Sequence, residues 1–203
     1  MTKTIAATLW LSLLLPGCGV TPSTQYYVLD GSDQAAPTRQ HALSIGIGPI
    51  RVADYLDRPQ ITLKQDNTLQ LSEFQRWGEP LSAGITRVLM EDLATRLDSK
   101  SLVQFPWRAD QIPDLRVKLM VRELNREQGQ AVLKADWAIS ETANGKKLQE
   151  GLEVLRVAVE DESYAALVGG YSELLEQLAG RIATAIHTSS EYYLRQHAEQ
   201  PLD

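Results

Sequence analysis

The chain has 203 residues, with 20 Lys+Arg against 26 Asp+Glu, a formal net charge of −6 and one cysteine. That length suits one compact domain with short extensions, and a composition that is 43% hydrophobic and 23% charged excludes wholesale disorder. The acidic balance excludes a general nucleic-acid binder, which needs a basic face to displace counterions, and a single cysteine makes neither an internal disulfide nor a multi-cysteine zinc site.

Residues 1–17 read as a signal peptide. Lys3 supplies a positive start, and Ile5 to Leu15 runs apolar through Trp10, Leu11, Leu13 and Leu14. The run is long enough for a signal core and too short for the roughly 20 residues that span a bilayer. Leu15-Pro16-Gly17-Cys18 then resembles the bacterial lipobox. That resemblance implies a diacylglycerol on the Cys18 thiol, cleavage before it, and an acyl chain such as palmitate on the new amine. Two or three chains anchor firmly where one is marginal, at about 0.8 kcal/mol per buried CH₂. Among lipoproteins, an aspartate after the cysteine commonly means retention in the inner membrane, so Gly19 implies delivery to the outer membrane.

Residues 18–25 are expected to form a small, polar, lipidated tether. Tyr26-Tyr27-Val28-Leu29 has strand composition, and residues 30–41 read as a loop. Leu43, Ile45, Ile47 and Pro49 alternate with Ser44, Gly46 and Gly48, the period of a strand with one buried face. The glycines point to close backbone packing, and Pro49 to a strand end or an edge. Residues 60–72 read as a hairpin that turns at Asp66-Asn67. Pro80 then opens a helix, with Glu79 near its positive end and a buried stripe of Leu81, Ile85, Val88, Leu89, Leu93 and Leu97. Glu91-Asp92 is expected on its solvated side.

Leu102 to Trp107 is a short strand closed by Pro106. Apolar residues alternate with charged ones over 115–122 and 133–140, and again over 155–159. The pattern predicts an antiparallel meander with one charged face, with Asn144-Gly145 as a hairpin signal. Ser163 can cap a long helix whose stripe runs from Tyr164 and Leu167 to Ile182 and Ile186. Gly169, Gly170 and Gly180 each weaken that helix by about 1 kcal/mol, and mark either close packing on the sheet or a break near Gly170. Residues 191–203 read as a polar tail that frays. The sum is one α+β domain over 26–190, a mainly antiparallel or mixed sheet with two long helices on one face.

No constellation of catalytic residues stands out. His41, His187 and His197 share no metal-ligand spacing, no Gly-x-Ser-x-Gly elbow occurs, and Gly46-Ile47-Gly48 lacks the third glycine of a dinucleotide loop. The expectation is therefore no enzyme, no metal, and no cofactor beyond the acyl groups on Cys18. Two segments are less ordinary: Tyr55-Leu56-Asp57-Arg58-Pro59-Gln60 and Phe74-Gln75-Arg76-Trp77-Gly78-Glu79-Pro80-Leu81. In a structural reading Tyr55 and Trp77 plug the core edge and Arg58 pairs with Glu79. In a functional one Tyr55, Leu56, Arg58, Pro59 and Trp77 bind a partner, because aromatic and arginine side chains dominate interface hot spots.

In their order, the lipobox, Tyr26-Tyr27-Val28-Leu29, Ile45-Gly46-Ile47-Gly48-Pro49-Ile50, Tyr55-Leu56-Asp57-Arg58-Pro59-Gln60-Ile61, Trp77-Gly78-Glu79-Pro80-Leu81 and Ile85-Thr86-Arg87-Val88-Leu89 resemble the PqiC-type (YmbA) lipoproteins. These are also called ABC-type transport auxiliary lipoproteins. The resemblance implies an outer-membrane lipoprotein facing the periplasm, which docks an MCE-domain protein that bridges the two membranes and moves lipids. A partner tube built of repeated subunits makes a matching homo-oligomeric ring plausible. Two other readings stay open: a lipoprotein that itself holds an amphiphile or cell-wall fragment in a pocket, and a periplasmic hydrolase.

Overall fold

The computed structural model describes residues 22–31, 43–97 and 101–198. Cys18 and the rest of the lipobox, His41 and most of the loop expected at 30–41 lie outside the described residues. The described chain forms β1 (Gln25–Tyr27), β2 (Ile45–Val52), β3 (Gln60–Gln65), β4 (Thr68–Trp77), α1 (Leu81–Leu97), β5 (Leu102–Gln104), β6 (Leu115–Glu127), β7 (Gln130–Glu141), β8 (Lys147–Ala158) and α2 (Tyr164–Ala198). This is the α+β class that the periodicities predict. The sheet, however, is divided: five strands run in the order β5-β2-β6-β7-β8, and three form a smaller sheet in the order β1-β4-β3.

The large sheet is mixed. β2 pairs parallel with both β5 and β6, while β6, β7 and β8 form the expected antiparallel meander. Asp114 fastens the parallel junction: its carboxylate accepts the Ser44 N–H at 2.8 Å and the Ser44 hydroxyl at 2.7 Å. Strand β2 continues through Pro49 to Val52 instead of ending there. β5 pairs only with residues 45–47 and the register with β6 slips between Ile47 and Ile50, so no ladder bond needs the missing Pro49 N–H. A Cβ on Gly46 would lie 2.6 Å from Pro113 and 2.7 Å from Trp107, the close approach its glycine implied.

Both helices pack on one face of this sheet and against each other. Ile85, Val88, Leu89, Leu93 and Leu97 of α1 meet Leu167, Leu174, Leu175, Leu178, Ile182 and Ile186 of α2, all essentially inaccessible to solvent, over Ile45, Leu115, Val121, Leu133 and Ile139. At about 25 cal/mol per Å² of apolar surface removed from water, this layer is the main stabilising term. Ser163 caps α2 as expected, its hydroxyl accepting the Ala166 N–H at 3.1 Å. The helix does not break at Gly170. A Cβ there would sit 2.9 Å from the Cβ of Ala131 and 3.0 Å from Val159, so the glycine lets the helix approach the sheet. Nor does it stop near residue 190: α2 runs on to Ala198, with Tyr193 stacked on His197 at 4.0 Å and Lys146 bound to Gln196 at 2.8 Å.

Asp92 departs from expectation. It is 0% exposed, whereas Glu91 beside it reaches solvent and meets Arg87 at 3.6 Å. The chain leaving β1 lies over that side of α1: Leu29 is buried, and a Cβ on Gly31 would come within 3.5 Å of the Asp92 carboxylate. Asp92 stands four residues after Val88 and three after Leu89, so the helical period itself sets it in the buried stripe, with the chain after β1 packed beside it.

Candidate functional site

The two unusual segments meet because β3 and β4 are a hairpin. Its open end brings the residues before β3 against those after β4, and the Trp77 N–H donates to the Pro59 carbonyl at 2.7 Å. A groove of about 330 Å³ results, lined by Asp57, Arg58, Pro59, Trp77, Gly78, Glu79, Pro80 and Leu81. Its floor is apolar and set by packing. Leu81 is buried, and Trp77, 7% exposed, tilts against the ring of Tyr171 at 6.4 Å between centroids. Pro59 and Asp57 stand exposed at the rim.

The five residues singled out in the sequence thus divide. Arg58, Pro59 and Trp77 share the groove. Leu56 is a core residue, 4% exposed, and offers no surface to a partner. Tyr55 points toward β6, where its hydroxyl donates to the Arg122 carbonyl at 3.2 Å. Burial, with the Glu123 carboxylate adding to it, pushes the Tyr55 phenol up to about 12.

Arg58 does not pair with Glu79. Glu79 takes Arg87 at 2.8 Å, and the same guanidinium donates to the Leu29 carbonyl at 2.6 Å. Arg87, reaching back from the second turn of α1, thereby ties β1 to the start of the helix. The bond to Glu79 raises its already high pKa. Arg58 Nε is left buried with no hydrogen-bond partner among the described residues. The groove therefore presents a tryptophan–leucine floor beside a guanidinium edge.

A second cleft, about 550 Å³ and polar, lies where the β3–β4 turn approaches the β6–β7 turn. Here Lys134 holds Glu123 at 3.0 Å and Glu127 at 3.8 Å, and Arg156 reaches Glu127 at 3.6 Å. Burial pushes the Glu123 carboxyl up, but Lys134, Glu127 and Lys64 outweigh it and hold the group below the usual carboxylate range. Both carboxylates are engaged by cations. Among the described residues no group of three histidine, cysteine, aspartate or glutamate side chains is placed to hold a metal ion, and no helix is long and apolar enough to cross a membrane.

Residues 27–183 match the model of the ABC-type transport auxiliary lipoprotein component family, which takes in both groove segments and the helix–sheet core. The chain belongs to that family. It is accordingly a lipoprotein component of ABC-type transport, the PqiC-type resemblance being the same family, and a transport auxiliary component works with partners. Protein XCC0632 from Xanthomonas campestris, of family-model DUF330, has a similar crystal structure: TM-score 0.73 and 10% identity over 85% of this chain and 99% of that one. A second crystal structure, of an uncharacterized protein, gives TM-score 0.66 and 18% identity over 81% of this chain and 99% of that one. At these identities the two likenesses establish the fold. No curated protein matches the sequence.

Sequence reasoning about this transport lipoprotein missed the roles of Asp57, Glu79 and Arg87, and the polar cleft. Asp57 and Glu79 signal only as charges near a proline, which is equally typical of a solvated turn, while Arg87 and the cleft residues are ordinary charges on a helix and on strands.

Proposed function

We propose that the protein is a non-enzymatic docking component of an intermembrane lipid-transport complex, held at the outer membrane by acyl groups on Cys18 and binding an MCE-type membrane-bridging protein. The observation that carries this reading is the family match over residues 27–183, which makes the chain an auxiliary to a transporter and not the transporter itself. The site supports it in kind. A shallow groove with an aromatic floor and the Arg58 guanidinium at its edge suits a protein segment that brings a carboxylate beside an apolar anchor.

The packing also favours docking over carrying. An amphiphile carrier needs a large apolar cavity, and the obvious place for one, between the helices and the sheet, is filled by leucine and isoleucine side chains. A partner tube made of repeated subunits would take several copies of this domain, arranged as a ring.

The test is photo-crosslinking in intact cells from Asp57 or Pro59, the exposed rim positions. The expected product is a covalent adduct with a membrane-anchored MCE-domain protein, lost in Arg58→Glu. Adducts with phospholipid alone, from a lipoprotein that fractionates with the outer membrane, would overturn the docking role. Cys18→Ser should abolish palmitate incorporation and release the chain from the membrane fraction. Undiminished labelling would remove the anchor.

A further inference from the structure

The tip of the β3–β4 hairpin is open to solvent beside the polar cleft that it shares with the β6–β7 turn. Residues 64–71 are exposed without a break, although their ladder is regular, with Lys64 opposite Leu69 and Gln65 opposite Thr68. Such a tip spends apolar residues on water: Leu69 is 41% and Leu71 46% exposed, and both lie on the same face of the hairpin. Lys64 shares that face and Asp66 sits in the turn, so the tip carries little net charge.

We propose that this tip is a second membrane contact, in which Leu69 and Leu71 enter the surface of the leaflet that holds the acyl chains of Cys18. The inference rests on the lipidated-anchor reading above and adds to it where the domain meets the lipid. The length of the tether argues for it. β1 runs parallel to β4 with Gln25 beside Gln75, so the chain arrives at Gln25 from the end of the sheet at which the hairpin turns. Cys18 precedes Gln25 by seven residues, and Thr68 precedes Gln75 by seven. Fully extended, the tether spans at most about 25 Å. The strand from Thr68 to Gln75 spans about 23 Å. The acylated cysteine can therefore come level with the hairpin tip but hardly pass it, and a bilayer entered by those acyl chains lies within reach of the tip.

The contact would also set the orientation of the domain. Trp77 lies nine residues along β4 from Thr68. A tip seated in the leaflet thus holds the Arg58–Trp77 groove about 30 Å from the bilayer surface, turned toward the periplasm. Acyl chains alone supply attachment without direction. Two leucines on a hairpin fixed to the body supply direction, because apolar side chains buried in the interface add to the anchoring and act at a second point.

The lone cysteine makes the test clean, since Cys18 is consumed by acylation. Leu69→Cys, Leu71→Cys and, as a reference on the sheet edge, Leu152→Cys (71% exposed in the parent) each supply the single free thiol for an environment-sensitive fluorophore. The full-length acylated lipoprotein is placed in vesicles of phosphatidylethanolamine and phosphatidylglycerol carrying a quencher on a shallow acyl carbon, and flotation measures association. The expected result is blue-shifted emission, and loss of most of it to the quencher, at positions 69 and 71 but not at 152. A protein that floats while positions 69 and 71 stay as solvent-exposed as 152 overturns the membrane contact and leaves the anchor standing. Burial at 69 and 71 only when a protein partner is added overturns it equally, by giving the tip to that partner. An acylated chain that fails to float removes the anchor, and the contact falls with it.

Discussion

The hairpin's rigidity depends on one side chain. Asn125 of β6 is 3% exposed and faces the free edge of β3, where its Oδ1 accepts the Lys64 N–H at 2.9 Å and its Nδ2 donates to the Lys64 carbonyl at 2.9 Å. It acts as a one-residue strand that stitches the small sheet to the large one. Asn125→Ala removes both bonds. Each contributes about 1 kcal/mol net, so the expected loss is about 2 kcal/mol, or about 4–8 °C in melting temperature for a chain of this size.

Asn125→Asp separates the two bonds. The carboxylate still accepts from the Lys64 N–H, but it opposes the Lys64 carbonyl with a second acceptor, close to Glu123 in the same cleft. At neutral pH that variant should lose more than Asn125→Ala. It should recover as pH falls through the acid range and be fully recovered below about 4. The protonated carboxyl donates to the carbonyl, and the folded state takes up its proton before the unfolded one does. Urea denaturation gives the stabilities, and amide exchange localises them: protection should fall across β3 and β4 and hold in β6, β7 and β8. A loss below about 0.5 kcal/mol, or one spread evenly over the meander, would refute the stitching role.

Other expectations follow from single contacts. Gly151 lies beneath the Trp137 indole, where a Cβ would approach ring atoms to 2.5 Å; Gly151→Ala should cost about 1–3 kcal/mol by urea denaturation and alter the tryptophan emission, and an unchanged protein would show that the ring shifts freely. Glu123, held below the usual carboxylate range by Lys134, contributes stability that is present above its unfolded pKa and is lost as pH falls through the folded one. The stability gap between the parent and Glu123→Gln should therefore be widest at neutral pH and close in acid, whereas a gap constant with pH would assign it to packing. Tyr55 shows the opposite sign: its phenol rises from about 10 to about 12 on folding, so its contribution is complete below pH 10 and disappears as pH rises toward 12. Tyr55→Phe should blunt that alkaline loss of stability, measured by circular dichroism across this window.

Local pattern carried much of the fold. The two helices, the hairpin turning at Asp66-Asn67, the Ser163 cap and the meander all follow from periods of 3.6 or 2 and from turn and cap residues, which act within a few positions of themselves. β8 was only half legible. Its first residues pair with β7 from Lys147, but Gly151 and Glu153 stand where an apolar alternation would show, because they lie under the Trp137 ring and bind Arg181. The turn at Gln128-Gly129, with positive φ at both residues, was also missed, since glutamine is not a residue that marks such turns. In the groove the residue types were legible and their convergence was not: Arg58 and Trp77 belong to different segments, and only the hairpin between them makes them neighbours.

By itself the sequence determined the elements, the acidic charge balance, the lone cysteine at the end of an apolar run, and membership of a family of transport lipoproteins. The tertiary structure decided what depends on contacts across many residues. It divided the strands into two sheets, ran β1 parallel to β4, gave Glu79 to Arg87 in place of Arg58, and left Leu69 and Leu71 outside the core. The physical reason is the same in each case. Periodicity reports which side of an element is apolar, but what covers that side, or leaves it bare, is set by chain brought from elsewhere in the sequence.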